Sequence, residues 1–418
     1  AVGFVESDVD VLRTHVGDPN DSYGWVGAEL GDIDGDGVED YAVTAVTEGT
    51  GGFYAGAVFV YSGTDGSLLH TVFGETGELL GYSAASAGDV DGDGTPDYVI
   101  GAPGFAAVAP DEYGRALVIS GSDHTIIHEF SAAEPVRLGT AVSGAGDIDG
   151  DGHDDIVVGA ENAADQAGMV TAYSGADGSV LWSKVGKHPW DLMGSAVDAV
   201  GDVNGDGVPD QVVGAYGAAG RDGGAAGSSG RGETYIVSGI DGSTLFRLAP
   251  RGDANVFGRF FARGGSDYDR DGVNDVFVAD YAAGRGGPPG NRFNPGGGTP
   301  ANGTGAAYLF SGATGKLLLK VDGQVSGEGL GPGRPIGDAN DDGIPDLLVA
   351  SWTSSEGAPA AGLARIYSGD DGSVIRTITS ATLGEFLGVD ALDVGDLDGD
   401  GAEDYLITGF GVAYVIAG

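Results

Sequence analysis

One acidic loop of nine residues recurs seven times along this chain of 418 residues. Its pattern is Asp-x-Asp/Asn-x-Asp-Gly-x-x-Asp, and the copies begin at Asp32, Asp89, Asp147, Asp202, Asp267, Asp338 and Asp396. Successive copies start 55 to 71 residues apart, and a recurrent spacing of this size is typical of repeat proteins. The sequence therefore predicts a fold built from seven similar units.

The acidic positions of the loop are those that a hard, oxygen-seeking cation requires. Calcium takes about six to eight oxygen ligands, and carboxylates at alternate positions of a tight loop supply them. Glycine at position 6 of every copy permits the sharp turn with a positive φ. We predict up to seven structural Ca²⁺ ions, held by side chains at positions 1, 3, 5 and 9 and by the carbonyl of position 7. These residues are Asp32, Asp34, Asp36, Val38, Asp40; Asp89, Asp91, Asp93, Thr95, Asp97; Asp147, Asp149, Asp151, His153, Asp155; Asp202, Asn204, Asp206, Val208, Asp210; Asp267, Asp269, Asp271, Val273, Asp275; Asp338, Asn340, Asp342, Ile344, Asp346; and Asp396, Asp398, Asp400, Ala402, Asp404.

An EF-hand begins with the same residue types but requires a bidentate Glu on a helix at its twelfth position. Here the twelfth position is Val or Ile in all seven copies, for example Val43 and Ile100. An apolar β-branched side chain cannot ligate calcium, and the residues around it have the pattern of a buried strand. The loop is therefore predicted to join two strands.

Each repeat contains four strand patterns. The acidic loop and its apolar strand are followed by a variable connection and by a third strand that ends in Ser-Gly or Ala-Gly, as in residues 57–63. Asp-Gly pairs such as Asp65-Gly66 predict a two-residue type I′ hairpin before the fourth strand. Four antiparallel strands per repeat are typical of a propeller blade. We predict an all-β fold, a seven-bladed β-propeller of four-stranded antiparallel blades.

The two ends of the chain predict how the ring closes. The last repeat stops after its third strand, at residues 412–418, whereas residues 10–17 have the pattern of a fourth strand such as residues 67–74. Pairing these two segments would complete blade seven and leave no open edge inside the ring. Residues 1–418 are thus expected to form a single domain.

These residues resemble the FG-GAP repeat of the β-propeller in integrin α subunits. An apolar-Gly pair, the acidic loop and a Val-Gly-Ala-like ending follow one another, most fully from Leu80-Gly81 through residues 89–97 to residues 100–103. The resemblance covers the whole chain and implies a propeller with calcium in its loops. Comparable stand-alone propellers are prokaryotic surface or secreted proteins, and we expect the same of this chain.

Two departures from the integrin pattern bear on partners. All seven loops here have ligands for calcium, with Asn204 and Asn340 as the only replacements at position 3, whereas integrin propellers carry such loops in only some blades. The aromatic residues that cage a cation of the integrin β subunit are mostly Leu or Met here. An integrin-type β subunit is therefore not expected as a partner.

The composition favours an extracellular or cell-surface location. The formal net charge is −44, from 63 acidic and 19 basic residues, and such a surface repels nucleic acid and anionic membranes. No apolar run approaches the about 20 residues of a transmembrane segment. The chain has no cysteine, so disulfide bonds are excluded, and bound calcium is the available means of stabilising the fold. Loops of micromolar to millimolar affinity would be filled outside a cell.

A ligand is expected on the propeller face opposite the calcium loops. Two long insertions, at residues 216–232 and 281–305, fall on that face, and nine of the 19 basic residues lie between Arg221 and Arg292. Guanidinium groups there would suit a protein or an acidic glycan, and aromatic rings could stack on a sugar; alternatively, the arginines offset neighbouring acids and the rings belong to the core. The candidate ligand-binding residues are Arg221, Arg231, Arg251, Arg285, Arg292, Trp190, Tyr216, Tyr281 and Trp352.

Two classes of function follow from this sequence. The first is a calcium-stabilised, non-catalytic binding or adhesion propeller. The second is a secreted carbohydrate-active enzyme, a lyase or hydrolase, with its site at the channel mouth. Lys187, His188, Asp191 and Asp280 have the residue types of acid-base chemistry, and their convergence at the channel would favour the enzyme.

Overall fold

The chain folds into seven four-stranded antiparallel sheets, which follow one another around a central channel. The computed structural model describes residues 3–105, 107–108, 113–218, 231–250, 254–284 and 303–418. The predicted all-β seven-bladed propeller is confirmed. The described helices are short, for example one turn at Ala163–Gln166, and none of them is long and apolar enough to cross a membrane.

Each of blades 1 to 6 uses four consecutive strands, ordered from the channel to the rim. Blades 1 to 3 comprise β2 (Tyr23–Gly31), β3 (Asp40–Ala45), β4 (Ala57–Tyr61), β5 (Leu68–Phe73); β6 (Ser83–Gly88), β7 (Asp97–Ala102), β8 (Arg115–Ile119), β9 (Ile126–Ser131); and β10 (Leu138–Gly146), β11 (Asp155–Ala160), β12 (Met169–Tyr173), β13 (Val180–Val185). Blades 4 to 6 comprise β14 (Met193–Gly201), β15 (Asp210–Ala215), β16 (Glu233–Val237), β17 (Thr244–Leu248); β18 (Ala262–Gly264), β19 (Val276–Asp280), β20 (Ala306–Phe310), β21 (Leu317–Asp322); and β22 (Leu330–Ile336), β23 (Asp346–Ser351), β24 (Leu363–Tyr367), β25 (Val374–Thr379). Blade 7 comprises β26 (Ala391–Asp393), β27 (Tyr405–Gly409), β28 (Val412–Ile416) and β1 (Val11–Val16).

Blade 7 closes the ring with strands from both ends of the chain. Strand β1 pairs antiparallel with β28, so that Thr14 lies opposite Tyr414. The residues before β1 reach back to blade 6, where the Val5 amide donates to the Thr379 carbonyl over 2.9 Å. The Glu6 carboxylate accepts from the Thr379 amide over 2.8 Å. The predicted closure by the N-terminal strand is confirmed.

The core lies between neighbouring blades. The second strand of every blade is buried along its whole length, as the continuous apolar runs predict. One core cluster joins Val118 and Phe130 of blade 2 to Ile156 and Val158 of blade 3. The outermost strands are half exposed, as in β5 and β9. This arrangement holds each blade against both of its neighbours and fixes the loops at the two faces.

The hairpins between third and fourth strands differ from the prediction. In blade 1, the Ser62 amide donates to the Ser67 carbonyl over 2.9 Å, and the Gly66 amide donates to the Ser62 carbonyl over 2.8 Å. Only Gly66 of the Asp65-Gly66 pair has a positive φ, of 72°, whereas a type I′ turn requires two such residues. The prediction of a two-residue type I′ turn is therefore wrong. The connection is a longer loop with a β-bulge between Val60 and Tyr61.

Candidate functional site

The seven acidic loops fold alike because the first aspartate gathers backbone amides around its carboxylate. In blade 1, Asp32 Oδ1 accepts from the amides of Gly35 (2.7 Å) and Asp36 (3.1 Å), and Oδ2 accepts from Gly37 (2.9 Å). Gly37 has a φ of 92°, and all seven glycines at position 6 are positive, as predicted. The amide of Val38 in turn donates to Asp36 Oδ1 over 3.0 Å. The side chains at positions 1, 3 and 5 are therefore held in place by the main chain.

The aspartate at position 9 fastens each loop to the neighbouring hairpin. Asp40 is fully buried; its Oδ2 accepts from the amides of Ile33 (3.0 Å) and Asp34 (3.2 Å), and its Oδ1 accepts from Gly63 (2.8 Å). Burial raises the pKa of Asp40 to about 6, although the backbone donors oppose the rise. In blades 2 to 6 the equivalent aspartates accept an amide of the third-to-fourth-strand hairpin: Asp97, Asp155, Asp210, Asp275 and Asp346. In blade 7, Asp404 accepts from the amide of Gly418, which follows the third strand. The acidic loops and these hairpins thus share one face.

Five of the described loops bring three carboxylates together, with the ligand oxygens within 4.8 Å of one another. These groups are Asp32, Asp34, Asp36; Asp89, Asp91, Asp97; Asp147, Asp149, Asp155; Asp267, Asp269, Asp271; and Asp396, Asp398, Asp404. In blade 4 the amide oxygen of Asn204 replaces the carboxylate and accepts from the Asp206 amide over 2.9 Å. Asn340 makes the same 2.9 Å contact with Asp342 in blade 6. Both asparagine copies therefore keep the loop conformation with one charge fewer.

The residues of these loops fit a hard divalent cation. In blade 2, Asp89 Oδ1 is buried and has no hydrogen-bond partner among the described residues, while its other oxygen accepts from the Gly94 amide over 3.1 Å. A buried carboxylate oxygen without a donor is costly, and a cation shared with Asp91 and Asp97 would remove that cost. An all-oxygen donor set suits calcium or magnesium rather than zinc.

Neighbouring acidic loops touch one another. Asp154 Oδ2 accepts from the Asp89 amide over 2.9 Å, and His153 Nδ1 lies 2.8 Å from the Val90 carbonyl. The His153 ring therefore faces the loop of blade 2, which agrees with a main-chain role for position 7 in its own loop. Arg270 of blade 5 donates to the Gly343 carbonyl of blade 6 over 2.7 Å. Side chains outside the ligand positions thus link some of the loops.

Only one of the five predicted arginines belongs to the part of the chain that the structure describes. Arg221, Arg251, Arg285 and Arg292 lie outside the described residues. Arg231 is described and exposed, at the start of the segment that leads into β16. The prediction that they form one ligand surface therefore stays a prediction.

The predicted aromatic residues separate into two groups. Tyr281 and Trp352 line the channel mouth. Tyr216 packs beside Tyr281, and the Arg259 guanidinium lies 4.6 Å from the centre of the Tyr216 ring. Trp190 lies in the connection between blades 3 and 4, does not line the described channel, and is 45% exposed. Two of the four candidate rings therefore lie at the channel mouth, and a third lies next to them.

Three further aromatic residues at the mouth were not identified from the sequence. The rings of Trp25 and Tyr82 lie 5.6 Å apart, and the rings of Tyr82 and Phe260 lie 6.0 Å apart across the channel. The Trp25 indole donates to the Tyr82 carbonyl over 3.0 Å. Each of the three follows the glycine of an apolar-Gly pair by one or two positions. Their position after an apolar-Gly pair could have identified these residues from the sequence, because the pair begins the strand that lines the channel.

The residues named for an enzyme do not converge. His188 Nδ1 lies 3.6 Å from Asp191 Oδ2, but that oxygen also accepts from the backbone amide of His188. Asp280 is buried in blade 5, and its carboxylate accepts from three backbone amides. Neither these residues nor Lys187 line the described channel. They do not form an acid-base group at the channel mouth.

Seven four-stranded blades, each with an acidic loop between its first two strands, define a repeat β-propeller with candidate cation sites on one face. Comparison with known proteins agrees. Residues 80–119 and 138–173 match the FG-GAP repeat family. Blades 2 and 3 thus match the FG-GAP repeat, and the propeller as a whole is similar to those of integrin α subunits.

The curated relatives include three integrin α subunits. Integrin alpha-5 of Xenopus laevis is 32% identical over 221 residues, which are 47% of this chain and 20% of that protein. Integrin alpha-V of Gallus gallus is 32% identical over 215 residues, with the same shares. Integrin alpha-PS2 of Drosophila melanogaster is 29% identical over 221 residues, 47% of this chain and 15% of the relative. The matched part is thus at most a fifth of each of these relatives.

Proposed function

We propose that this chain is a calcium-stabilised, extracellular binding propeller. It recognises a protein or an acidic glycan through the face opposite the acidic loops. The observation that carries the proposal is the convergence of three carboxylates in five of the described loops, within a propeller similar to those of integrin α subunits. Residues 1–418 form one domain in this account, and each of the seven loops binds one calcium ion.

The location follows from the chemistry of the loops. The loops are exposed, and in two blades asparagine replaces one carboxylate. Both features favour moderate calcium affinity, with dissociation constants such as those of extracellular calcium modules, about 10⁻⁴–10⁻³ M. Such sites fill in extracellular calcium. The net charge of −44 opposes binding to nucleic acid. Nothing in the described structure requires an integrin β subunit for the ring to close.

The face opposite the loops is the better candidate for recognition. It carries the connections between blades and the loops between second and third strands, to which the sequence assigns the two long insertions that contain Arg221, Arg231, Arg285 and Arg292. Loops displayed on a rigid scaffold are the usual seat of binding. The acidic-loop face, by contrast, is crowded with carboxylates that have a structural use.

Binding of the chain to protein and glycan arrays, with calcium and with excess chelator, tests this function. We expect calcium-dependent binding to at least one acidic glycan or protein. Replacing Arg221, Arg231, Arg285 and Arg292 together with Ala should abolish that binding and leave calcium content and melting temperature (Tm) unchanged. Lys316→Ala, on the exposed hairpin of the acidic-loop face, is the control and should bind normally. Undiminished binding by the quadruple variant would refute the assignment of the face.

A further inference from the structure

The inner strands of blades 3 to 6 place four polar side chains at one level of the central channel. They occupy equivalent positions, because each pairs with the second-strand residue that lies two positions after the aspartate at loop position 9 of the same blade. The four residues are Ser143, Asp198, Arg263 and Arg334. All four line a cavity of about 260 Å³. The two arginines therefore stand on neighbouring strands at the same height.

Each of the two guanidinium groups has one buried N–H donor without an acceptor. The Nε atoms of Arg263 and Arg334 are buried and have no hydrogen-bond partner among the described residues. Arg334 reaches Asp390 only at 3.4 Å, and Arg263 forms no ion pair with any residue that the structure describes. Burial and the charge of Arg334 lower the pKa of Arg263. Because a buried donor without an acceptor is costly, an acceptor from outside the chain suits this position.

The nearby carboxylates direct their oxygens to other donors. Asp198 accepts from the Ser143 hydroxyl over 3.0 Å and from the Gly264 amide over 3.1 Å. Asp390 accepts from two backbone amides, over 3.2 and 2.9 Å. Asp390 also accepts from Arg334 Nη2, over 3.4 and 3.5 Å. These two carboxylates thus reduce the positive charge of the arginines but leave both Nε donors without an acceptor.

Two further carboxyl groups line the cavity without an ion-pair partner among the described residues. Glu29 of blade 1 and Asp393 of blade 7 line it, and no described side chain forms an ion pair with either. Burial raises the pKa of Glu29 to about 7 and that of Asp393 to about 6. The cavity therefore presents an unpaired Nε donor on each of two blades and a carboxyl group without an ion pair on each of two others.

We propose that this cavity binds a small zwitterion of the α-amino acid class. The ligand carboxylate accepts from Arg263 and Arg334, whose planar forks match its geometry. The ligand ammonium donates to Glu29 and Asp393. A ligand of both signs is required, because the lining holds two arginines and three carboxylates and a simple anion would meet net repulsion. The volume is below the about 300–1,000 Å³ of drug-sized sites, which favours a free amino acid.

The test uses the calcium-loaded full chain and each standard L-amino acid in a thermal-shift assay. The amino acid that raises Tm most is then measured by titration calorimetry. We expect saturable binding with one site per chain. The matching primary amine and the N-acetylated amino acid each lack one charge and should bind at least tenfold more weakly.

Three variants separate ligand binding from a structural role. Arg263→Gln should weaken binding at least tenfold and leave the Tm of the ligand-free chain unchanged or higher, because it removes an unpaired buried charge. Arg334→Gln should also weaken binding and provides the test if the first variant does not fold. Lys316→Gln removes an exposed cation outside the cavity and should bind as the parent chain does.

Several results would overturn the proposal. If no amino acid raises Tm, water alone solvates the two guanidinium groups. Equal affinity of the parent chain and both channel variants, or equal binding of the amine and the zwitterion, would exclude the assigned contacts. A lower ligand-free Tm in both channel variants would mean that the arginines serve the fold. None of these outcomes bears on recognition at the propeller face, which the arrays test separately.

Discussion

The aspartates of one acidic loop have different physical tasks. Asp97 is buried, and its carboxylate accepts from the amides of Val90 (2.8 Å), Asp91 (3.2 Å) and Gly121 (2.9 Å). Asp91 is exposed and accepts only from the Asp93 amide, over 3.0 Å. Position 9 therefore stabilises the blade even without metal, whereas position 3 is free to face a cation.

Substitutions in the blade 2 loop should separate these tasks. Asp97→Ala leaves three amides without their acceptor, at about 1–3 kcal/mol for each that stays unsatisfied. We expect a loss of at least about 3 kcal/mol in the free energy of unfolding in chelator, and a larger loss in calcium, because Asp97 also belongs to the candidate cation group. Asp91→Ala should have little effect in chelator and lower stability only in calcium. Urea unfolding measures both, and equal losses for the two variants in chelator would contradict this division.

Glu29 makes stability depend on pH. Burial, together with Glu39 and Asp393, raises its pKa from 4.5 to about 7, against the opposing charge of Arg334. The folded chain therefore binds a proton that the unfolded chain releases, so this contribution to stability is full below pH 4.5 and is lost as the pH rises to about 7.

Glu29→Gln should remove that dependence. We expect the variant to be more stable than the parent chain at pH 8, on the order of 1 kcal/mol after allowance for water in the channel, and equal to it at pH 4.5. Glu134→Gln, at an exposed glutamate, is the control. Thermal melts at the two pH values measure the difference. A variant that gains nothing at pH 8 would show that Glu29 is ionised without penalty.

At the scale of strands, the sequence predicted most of the fold and little of the channel. The acidic loop marks the junction between first and second strands, so it places seven blades directly. The hairpin prediction failed because Asp65 caps the turn through its side chain, which accepts from the Ser67 amide over 2.8 Å. It does not adopt the left-handed conformation that the Asp-Gly pair suggested.

The channel residues were missed for a different reason. Several inner strands contain register shifts, for example between Leu138 and Ala141 and between Leu330 and Gly333. A shift of this kind changes which residues face the channel, so alternation in the sequence does not identify them. Arg263 and Arg334 meet only because their blades are neighbours. The sequence counts Arg263 among the clustered basic residues, but nothing in the sequence alone places either arginine in the channel.

Strand β1 should matter more than the residues before it. Deleting residues 1–17 removes β1 and exposes the edge of β28, which favours association between chains. We expect aggregation or a loss of cooperative unfolding. Deleting residues 1–8 removes the contacts with residues 379–381 of blade 6 and the packing of Phe4 on Tyr414, but it keeps β1 and should leave a folded monomer. Light scattering and urea unfolding measure the two truncations, and a monomeric 1–17 deletion with the stability of the full chain would contradict closure by β1.

At the scale of the whole molecule, the ring combines strong electrostatic repulsion between carboxylates with repeated sites at which a bound cation would reduce that repulsion. A chain of net charge −44 repels itself, and the loops concentrate carboxylates on one face. Seven calcium ions would neutralise much of that charge where it is densest. Contacts such as that of Arg270 with blade 6 link some of the loops, so loss of one ion is expected to loosen its neighbour.

The stability of the full chain with and without calcium tests the central claim most directly. Each site contributes about 2.7 kcal/mol when calcium is at a hundredfold excess over its dissociation constant. With an unfolding entropy of about 2.1 cal/mol/K per residue, seven sites should raise Tm by roughly 20 °C. Calorimetry of one sample in chelator and after calcium is restored, with the bound metal measured by atomic emission, should show a reversible shift of this order and up to seven ions per chain. An unchanged melting curve in a sample shown to be free of metal would contradict the account.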